Sequence, residues 1–184
     1  MIDISLAFDP EIFAFDLALE GDPDRDLRGD DGLLTAVIIS LFTDARANAD
    51  DPLPDERIGL LSDPRGWWGD YILEEDSRDP IRNGGPLHNG GPMGSRLWLL
   101  SREKDMDVVV ARAQQYADEA VAWLLRDKHV DRVSTVASRV SRGYLGIAVA
   151  ALEPTGGMDA KTREWNFLYD YENARPVKIE APGL

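Results

Sequence analysis

Three acidic side chains at alternate positions, Asp22-x-Asp24-x-Asp26, are the first arrangement in this chain that could do chemistry. Carboxylate oxygens so spaced suit a hard cation such as calcium. An EF-hand loop also needs glycine at its sixth position and glutamate at its twelfth, and here those places hold Leu27 and Leu33. A specific calcium site is therefore not expected. The two histidines, His88 and His129, stand far apart without helical spacing, and there is no cysteine, so a zinc site lacks ligands. A glycosidase needs only a pair of carboxylates, and 34 acidic residues always offer one, with Trp67 and Trp68 available to stack on a sugar. The simpler account of Gly66-Trp67-Trp68-Gly69-Asp70 is a loop that folds its indoles back onto the protein, its glycines permitting tight turns. No nucleophile elbow, phosphate loop or dinucleotide glycine pattern occurs. The expectation is a protein that is not an enzyme and needs no cofactor or metal.

Charge points towards association. The chain has 184 residues and a formal net charge of -14. Residues 1–80 hold 21 acidic and 6 basic side chains, whereas residues 81–184 hold 13 and 14. So acidic a surface repels phosphates, which argues against nucleic acid as a partner. It either keeps the protein soluble or forms a face that meets a basic neighbour, where charge governs specificity and encounter rate. With 43% hydrophobic and 29% charged residues the composition is that of a folded chain, long enough for one core-bearing domain. Absence of cysteine fits a reducing compartment. Met1-Ile2-Asp3-Ile4 lacks the basic start of a signal peptide, and no apolar run approaches the roughly 18 residues of a membrane span, so we expect a soluble protein.

The periodicities that would position these residues change along the chain. Ile2, Ile4, Leu6 and Phe8, and then Phe13, Phe15, Leu17 and Leu19, alternate as strands do, with Asp9-Pro10 as the turn. A polar loop covers residues 21–32. Leu34, Val37, Ile38, Leu41 and Phe42 have helical spacing, predicting a helix from Leu33 to about Ala47, with Asp30 or Asp31 favouring its N-terminal dipole. Prolines and the repeat Asn83-Gly84-Gly85-Pro86, Asn89-Gly90-Gly91-Pro92 make residues 71–95 a flexible insertion. After the short apolar run Leu97-Trp98-Leu99-Leu100, a second helix runs from about Asp105 to Asp127. Met106, Val109, Val110, Ala113, Tyr116, Ala117, Ala120, Trp123 and Leu124 form its buried stripe. Val133, Thr135 and Ala137, then Leu145, Ile147, Val149 and Ala151, then Trp165, Phe167, Tyr169 and Tyr171 each mark one face of a strand. Arg142-Gly143 and Thr155-Gly156-Gly157 supply the turns of an antiparallel meander. The expected fold is α+β: one domain over residues 1–184, two main helices packed on a mostly antiparallel sheet ending in a C-terminal β-meander.

Four segments together resemble a known family. They are residues 34–44, Leu-Thr-Ala-Val-Ile-Ile-Ser-Leu-Phe-Thr-Asp; residues 65–70, Arg-Gly-Trp-Trp-Gly-Asp; residues 94–100, Gly-Ser-Arg-Leu-Trp-Leu-Leu; and the amphipathic helix carrying Tyr116 to Leu124. Their order and spacing, over roughly residues 3–170, are similar to the baseplate wedge proteins of phage Mu and Mu-like contractile-tailed phages and prophages. That family in turn resembles the small sheath-nucleating wedge protein of T-even phages. In the wider group a helix ends near a threonine and an arginine, matched here by Thr43 and Arg46, and a Glu-Pro-Arg motif precedes the terminal hairpin. Here that place reads Val130-Asp131-Arg132-Val133: the arginine is kept, the acid is shortened to aspartate beside it, and the proline is missing.

The resemblance implies a wedge subunit in a sixfold baseplate ring, touching larger wedge proteins and the tail sheath protein, with the tail tube or spike region as a further neighbour. It places partner contacts at Thr43, Asp44 and Arg46, at Trp67, Trp68 and Asp70, and at Asp131, Arg132, Val133 and Thr135. It locates the protein in the virion tail, and in the host bacterial cytoplasm during assembly. A terminal meander adds a route, because edge strands carry unpaired N–H and C=O groups that accept a strand from a neighbour. The expected edges are residues 133–137 or 165–171. Rival readings are a cell-wall-degrading tail enzyme, marked by hydrolysis of cell walls, and a soluble adaptor, marked by one cytoplasmic partner and no tail proteins.

Overall fold

The computed structural model describes residues 3–4, 6–17, 29–30, 32–54, 63–67, 93–101, 103, 106–154 and 161–180. The Asp22–Asp24–Asp26 loop, His88, Trp68, Asp70, the Thr155 turn and all of the insertion before residue 93 lie outside these residues.

The N-terminal alternation forms strands. β1 (Asp3–Ile4) pairs antiparallel with β4 (Gly29–Asp30), so the end of the polar segment is strand where loop was expected. β2 (Leu6–Asp9) and β3 (Ala14–Leu17) form a hairpin, and Asp9 caps its turn by accepting a bond from the Glu11 N–H at 2.8 Å. Phe15 ties this hairpin to the rest: its ring lies 5.7 Å from Phe42, which in turn lies 5.3 Å from Phe167 and 5.9 Å from Tyr169. Offset and edge-on rings at these separations attract beyond the area they bury.

Helix α1 (Leu33–Phe42) is shorter than its periodicity suggests. Thr43 leaves the helix at φ -83, ψ 137, because residues 43–45 turn into an extended segment that pairs elsewhere in the chain. No side-chain hydrogen bond caps its start: Gly32 stands at the N-cap in a left-handed conformation, and its carbonyl accepts the Ala36 N–H at 2.8 Å. Helix α2 (Met106–Arg126) agrees closely with expectation. Val109, Ala113, Tyr116, Ala117, Ala120, Val121 and Leu124 are buried, and Gln115, Asp118, Glu119 and Arg126 face solvent. It ends in a Schellman motif, with Lys128 at φ 62, the His129 N–H on Leu124 O at 2.9 Å and the Lys128 N–H on Leu125 O at 3.2 Å. Between the helices, Leu97–Leu100 forms a 3-10 turn whose four side chains are all buried.

The last third is a four-stranded antiparallel sheet in the order β5 (Arg132–Ser141), β6 (Tyr144–Leu152), β7 (Thr162–Asp170), β8 (Arg175–Glu180). Leu145, Ile147, Val149 and Ala151, with Trp165, Phe167 and Tyr169, fill the inner face against α1, α2 and the 3-10 turn. This confirms the α+β class and the meander. A further expectation is corrected. Residues 165–171 are not an edge, because β8 pairs with β7 from Asn166↔Glu180 to Asp170↔Arg175. Pro176 hides this strand from a periodicity reading, yet an edge strand with a register slip beside it is where proline is tolerated. The two edges of the sheet are therefore β5 and β8.

Candidate assembly interface

Segments distant in sequence meet in a seam beside α1. Asp44 and Ser95 form a parallel bridge, with the Ser95 N–H donating to Thr43 O at 2.8 Å and the Ala45 N–H donating to Ser95 O at 2.8 Å. Ser95 Oγ donates to Leu41 O at 2.5 Å, and Trp98 Nε1 to Ala45 O at 2.8 Å. Residues 93–95, expected to be the end of a flexible insertion, are thus pinned to the end of α1. The third segment joins through Arg65, whose guanidinium donates to Asp44 Oδ2 at 2.7 Å and lies 4.4 Å from the centre of the Trp98 ring. Gly66 sits against Arg46, and Trp67 is half-buried beside it in the chain. Thr43, Asp44, Arg46 and Trp67 are therefore brought to one place.

Asp131, Arg132, Val133 and Thr135 lie instead at the start of β5, after the buried Val130. Arg132 is exposed and Val133 half-buried. Thr135 is not open: it is 7% exposed, its Oγ1 donates to Asp118 Oδ1 at 2.5 Å, and its carbonyl and Oγ1 both accept from Gln114 Nε2. Gln114 Oε1 also accepts the Ala137 N–H at 2.8 Å. Neither Gln114 nor Asp118 was singled out by sequence reasoning. Their i, i+4 spacing at the flank of a buried stripe is the only local signal, and it fits any solvated helix face.

The family described as phage protein GP46 matches residues 33–158, more than half of the chain. The chain belongs to the GP46 phage protein family. It is 39% identical over 143 residues to the baseplate protein gp46 of Escherichia phage Mu, which covers 78% of this chain and 83% of that protein. It is 32% identical over 138 residues to the Mu-like prophage FluMu protein gp46 of Haemophilus influenzae, covering 75% of this chain and 81% of that one. No solved structure matches. All ten residues expected to contact partners fall inside the GP46 match, which runs from the start of α1 past the end of β6.

Within this GP46 chain the seam continues into a cleft of about 350 Å³ between α2 and the segment after α1. Arg46, Arg96 and Arg126 line it with Tyr116, Glu119 and Trp123, a cationic concentration in an acidic protein. Arg96 is its organising residue. One guanidinium nitrogen donates to both oxygens of Asp51 at 3.0 and 2.7 Å, another donates to Glu119 at 2.5 Å, and its plane lies 4.7 Å from the Tyr116 ring centre. Burial works against the Arg96 charge, but the bonds to Glu119 and Asp51 outweigh it and raise its pKa. Burial, reinforced by the Asp51 charge, likewise raises the Tyr116 phenol. Burial pushes the fully enclosed Tyr169 phenol up as well, with Asp44 adding to it.

Proposed function

We infer that this chain, a single domain over residues 1–184, is a structural component of a contractile phage or prophage tail baseplate. It acts as a wedge subunit that contacts larger wedge proteins and attaches or nucleates the tail sheath by strand pairing at β5. Membership of the GP46 family, with a phage Mu relative named as a baseplate protein, is the observation that carries the baseplate role. The strand-pairing role is supported by the position of β5 at the sheet edge, led by the exposed Arg132. On this reading Arg132 docks on a wedge partner, and the Thr43–Arg46 seam with Trp67 presents a second contact surface.

The ladder selects the variant that tests pairing. Thr135 O and the Ala137 N–H point away from β6, since they bond Gln114, so in regular antiparallel pairing the outward groups belong to odd-numbered residues. Val133→Pro therefore deletes an outward N–H while leaving the bonds to β6 intact. Thr135→Pro is a poorer choice, because it also removes the buried hydroxyl. Baseplates carrying Val133→Pro are expected to assemble but to nucleate sheath at least about tenfold less often, as electron microscopy of reconstituted tails would count. Normal sheath growth on them would sink the pairing.

The acid of residues 1–80 is assigned to steering assembly towards basic neighbours. Raising salt from roughly 0.05 to 0.5 M should then slow wedge association by about an order of magnitude in stopped-flow mixing. A salt-independent rate would reduce that acid to a solubility device.

A further inference from the structure

The β5 edge is not bare in the free subunit. At its middle, the Gln114 carboxamide does what a neighbouring strand would do: its oxygen takes the Ala137 N–H at 2.8 Å and its nitrogen donates to Thr135 O at 3.1 Å. The same nitrogen reaches Thr135 Oγ1 at 2.8 Å and Asp118 Oδ2 at 3.0 Å, and Thr135 Oγ1 closes the ring on Asp118 Oδ1 at 2.5 Å. Asp118 lies one helical turn beyond Gln114, so a single face of α2 holds the whole arrangement. The outward backbone groups flanking Val136 are thereby satisfied from within the chain, while the Val136 side chain itself is 59% exposed on the opposite face of the sheet.

We propose that Gln114 is a displaceable plug in the β5 edge, occupying the two backbone groups that a partner strand must bond and so keeping the free subunit closed to strand pairing. This rests on the reading of β5 as the sheath-pairing edge. An edge strand left open is a template for pairing with any chain, including another copy of itself. A backbone-like amide on a side chain blocks that route yet yields to a strand that supplies the same two bonds and adds others along the edge. Asp118 is the positioning residue, since it accepts both from the Gln114 amide and from the Thr135 hydroxyl. The other sheet edge is guarded differently, by Pro176, the register slip beside Tyr169 and the exposed Lys178. The β5 guard is a single neutral amide that can move aside by a side-chain rotation, whereas Pro176 and the register slip are fixed in the backbone.

The test compares wild type with Gln114→Ala and with the isosteric Gln114→Glu, whose carboxylate cannot donate to Thr135 O and is repelled by Asp118. Amide hydrogen exchange at Ala137 is followed in the free full-length chain, and binding is titrated with the tail sheath protein of the same phage or prophage. Gln114→Ala, which removes the acceptor, is expected to exchange the Ala137 amide at least about tenfold faster while Val136 and Ser138, which face β6, keep their protection. Both variants lose the bond to Thr135 O and should bind sheath more tightly, Gln114→Ala by about tenfold, the effect of no longer breaking one or two hydrogen bonds first. Unchanged Ala137 exchange in Gln114→Ala, or sheath binding that is unchanged or weaker in both folded variants, overturns the plug and leaves edge pairing standing. Failure of the pairing itself looks different, because Val133→Pro would then bind sheath as well as wild type does; that result removes the plug's regulatory role with it.

Discussion

Gly94→Ala is expected to destabilise the folded chain by about 3 kcal/mol or more, lowering its melting temperature by roughly 10 °C. Gly94 has φ +97, where an L side chain is strained. The larger effect is contact: a Cβ there would lie 2.2 Å from Thr43 O, 2.8 Å from Thr43 C and 3.1 Å from Ala45 N. These are backbone atoms, and they cannot swing away as a side-chain tip can. The bonds between Thr43 O, Ser95 and Ala45 hold them on both sides of the intruding methyl group. Relief requires opening the seam, which frees the Trp98 indole from Ala45 O and the Ser95 hydroxyl from Leu41 O. Gly146→Ala is the control. Its Cβ would meet Ser138 Oγ at 3.0 Å, a hydroxyl that can rotate, so a loss below about 1 kcal/mol is expected. Thermal and urea unfolding of both variants decide the matter, and equal stabilities would refute the account of the seam.

Arg96→Ala is expected to cost about 2–4 kcal/mol, for a different reason. The Arg96 side chain is 12% exposed and so is that of Asp51, which receives two of its hydrogen bonds. Removing the guanidinium leaves the Asp51 carboxylate shielded from water with its counter-charge gone, which costs more than the ion pair contributes. Glu119, more exposed at 47%, loses less. Lysine is a poor substitute, because a single ammonium cannot fork between Asp51 and Glu119 while stacking on Tyr116. A double-mutant cycle separates the effects: Arg96→Ala with Asp51→Ala should be closer to wild type than the sum of the single losses. Additive losses would mean that the pair is not coupled. Because Arg96 lines the cleft beside the seam, the same variant should weaken any contact made there.

Much of the fold was legible along the chain. Helix α2 was found nearly to the residue because a 21-residue amphipathic stripe repeats the same signal six times. The hairpins were visible because alternation breaks at Asp9-Pro10 and at Arg142-Gly143. The end of α1 and the role of residues 93–95 were not visible, since Thr43 leaves the helix only to pair with a segment about fifty residues away. Nor was β8, whose Pro176 reads locally as an interruption.

The same division runs through the candidate interface. The residue types offered for contact, the net acidity of residues 1–80 and the strand periods of the meander are properties of neighbours in the chain, so they can be read from the sequence by itself. Which strand ends the sheet is a property of partners. Only the tertiary structure decided that β8 covers β7, that Arg65 and Trp98 close on Asp44, and that Gln114 fills the edge at Thr135 and Ala137. Hydrogen-bond partners brought together across 21 to 54 positions leave no periodic trace, because their spacing is set by the path of the chain and not by its local geometry.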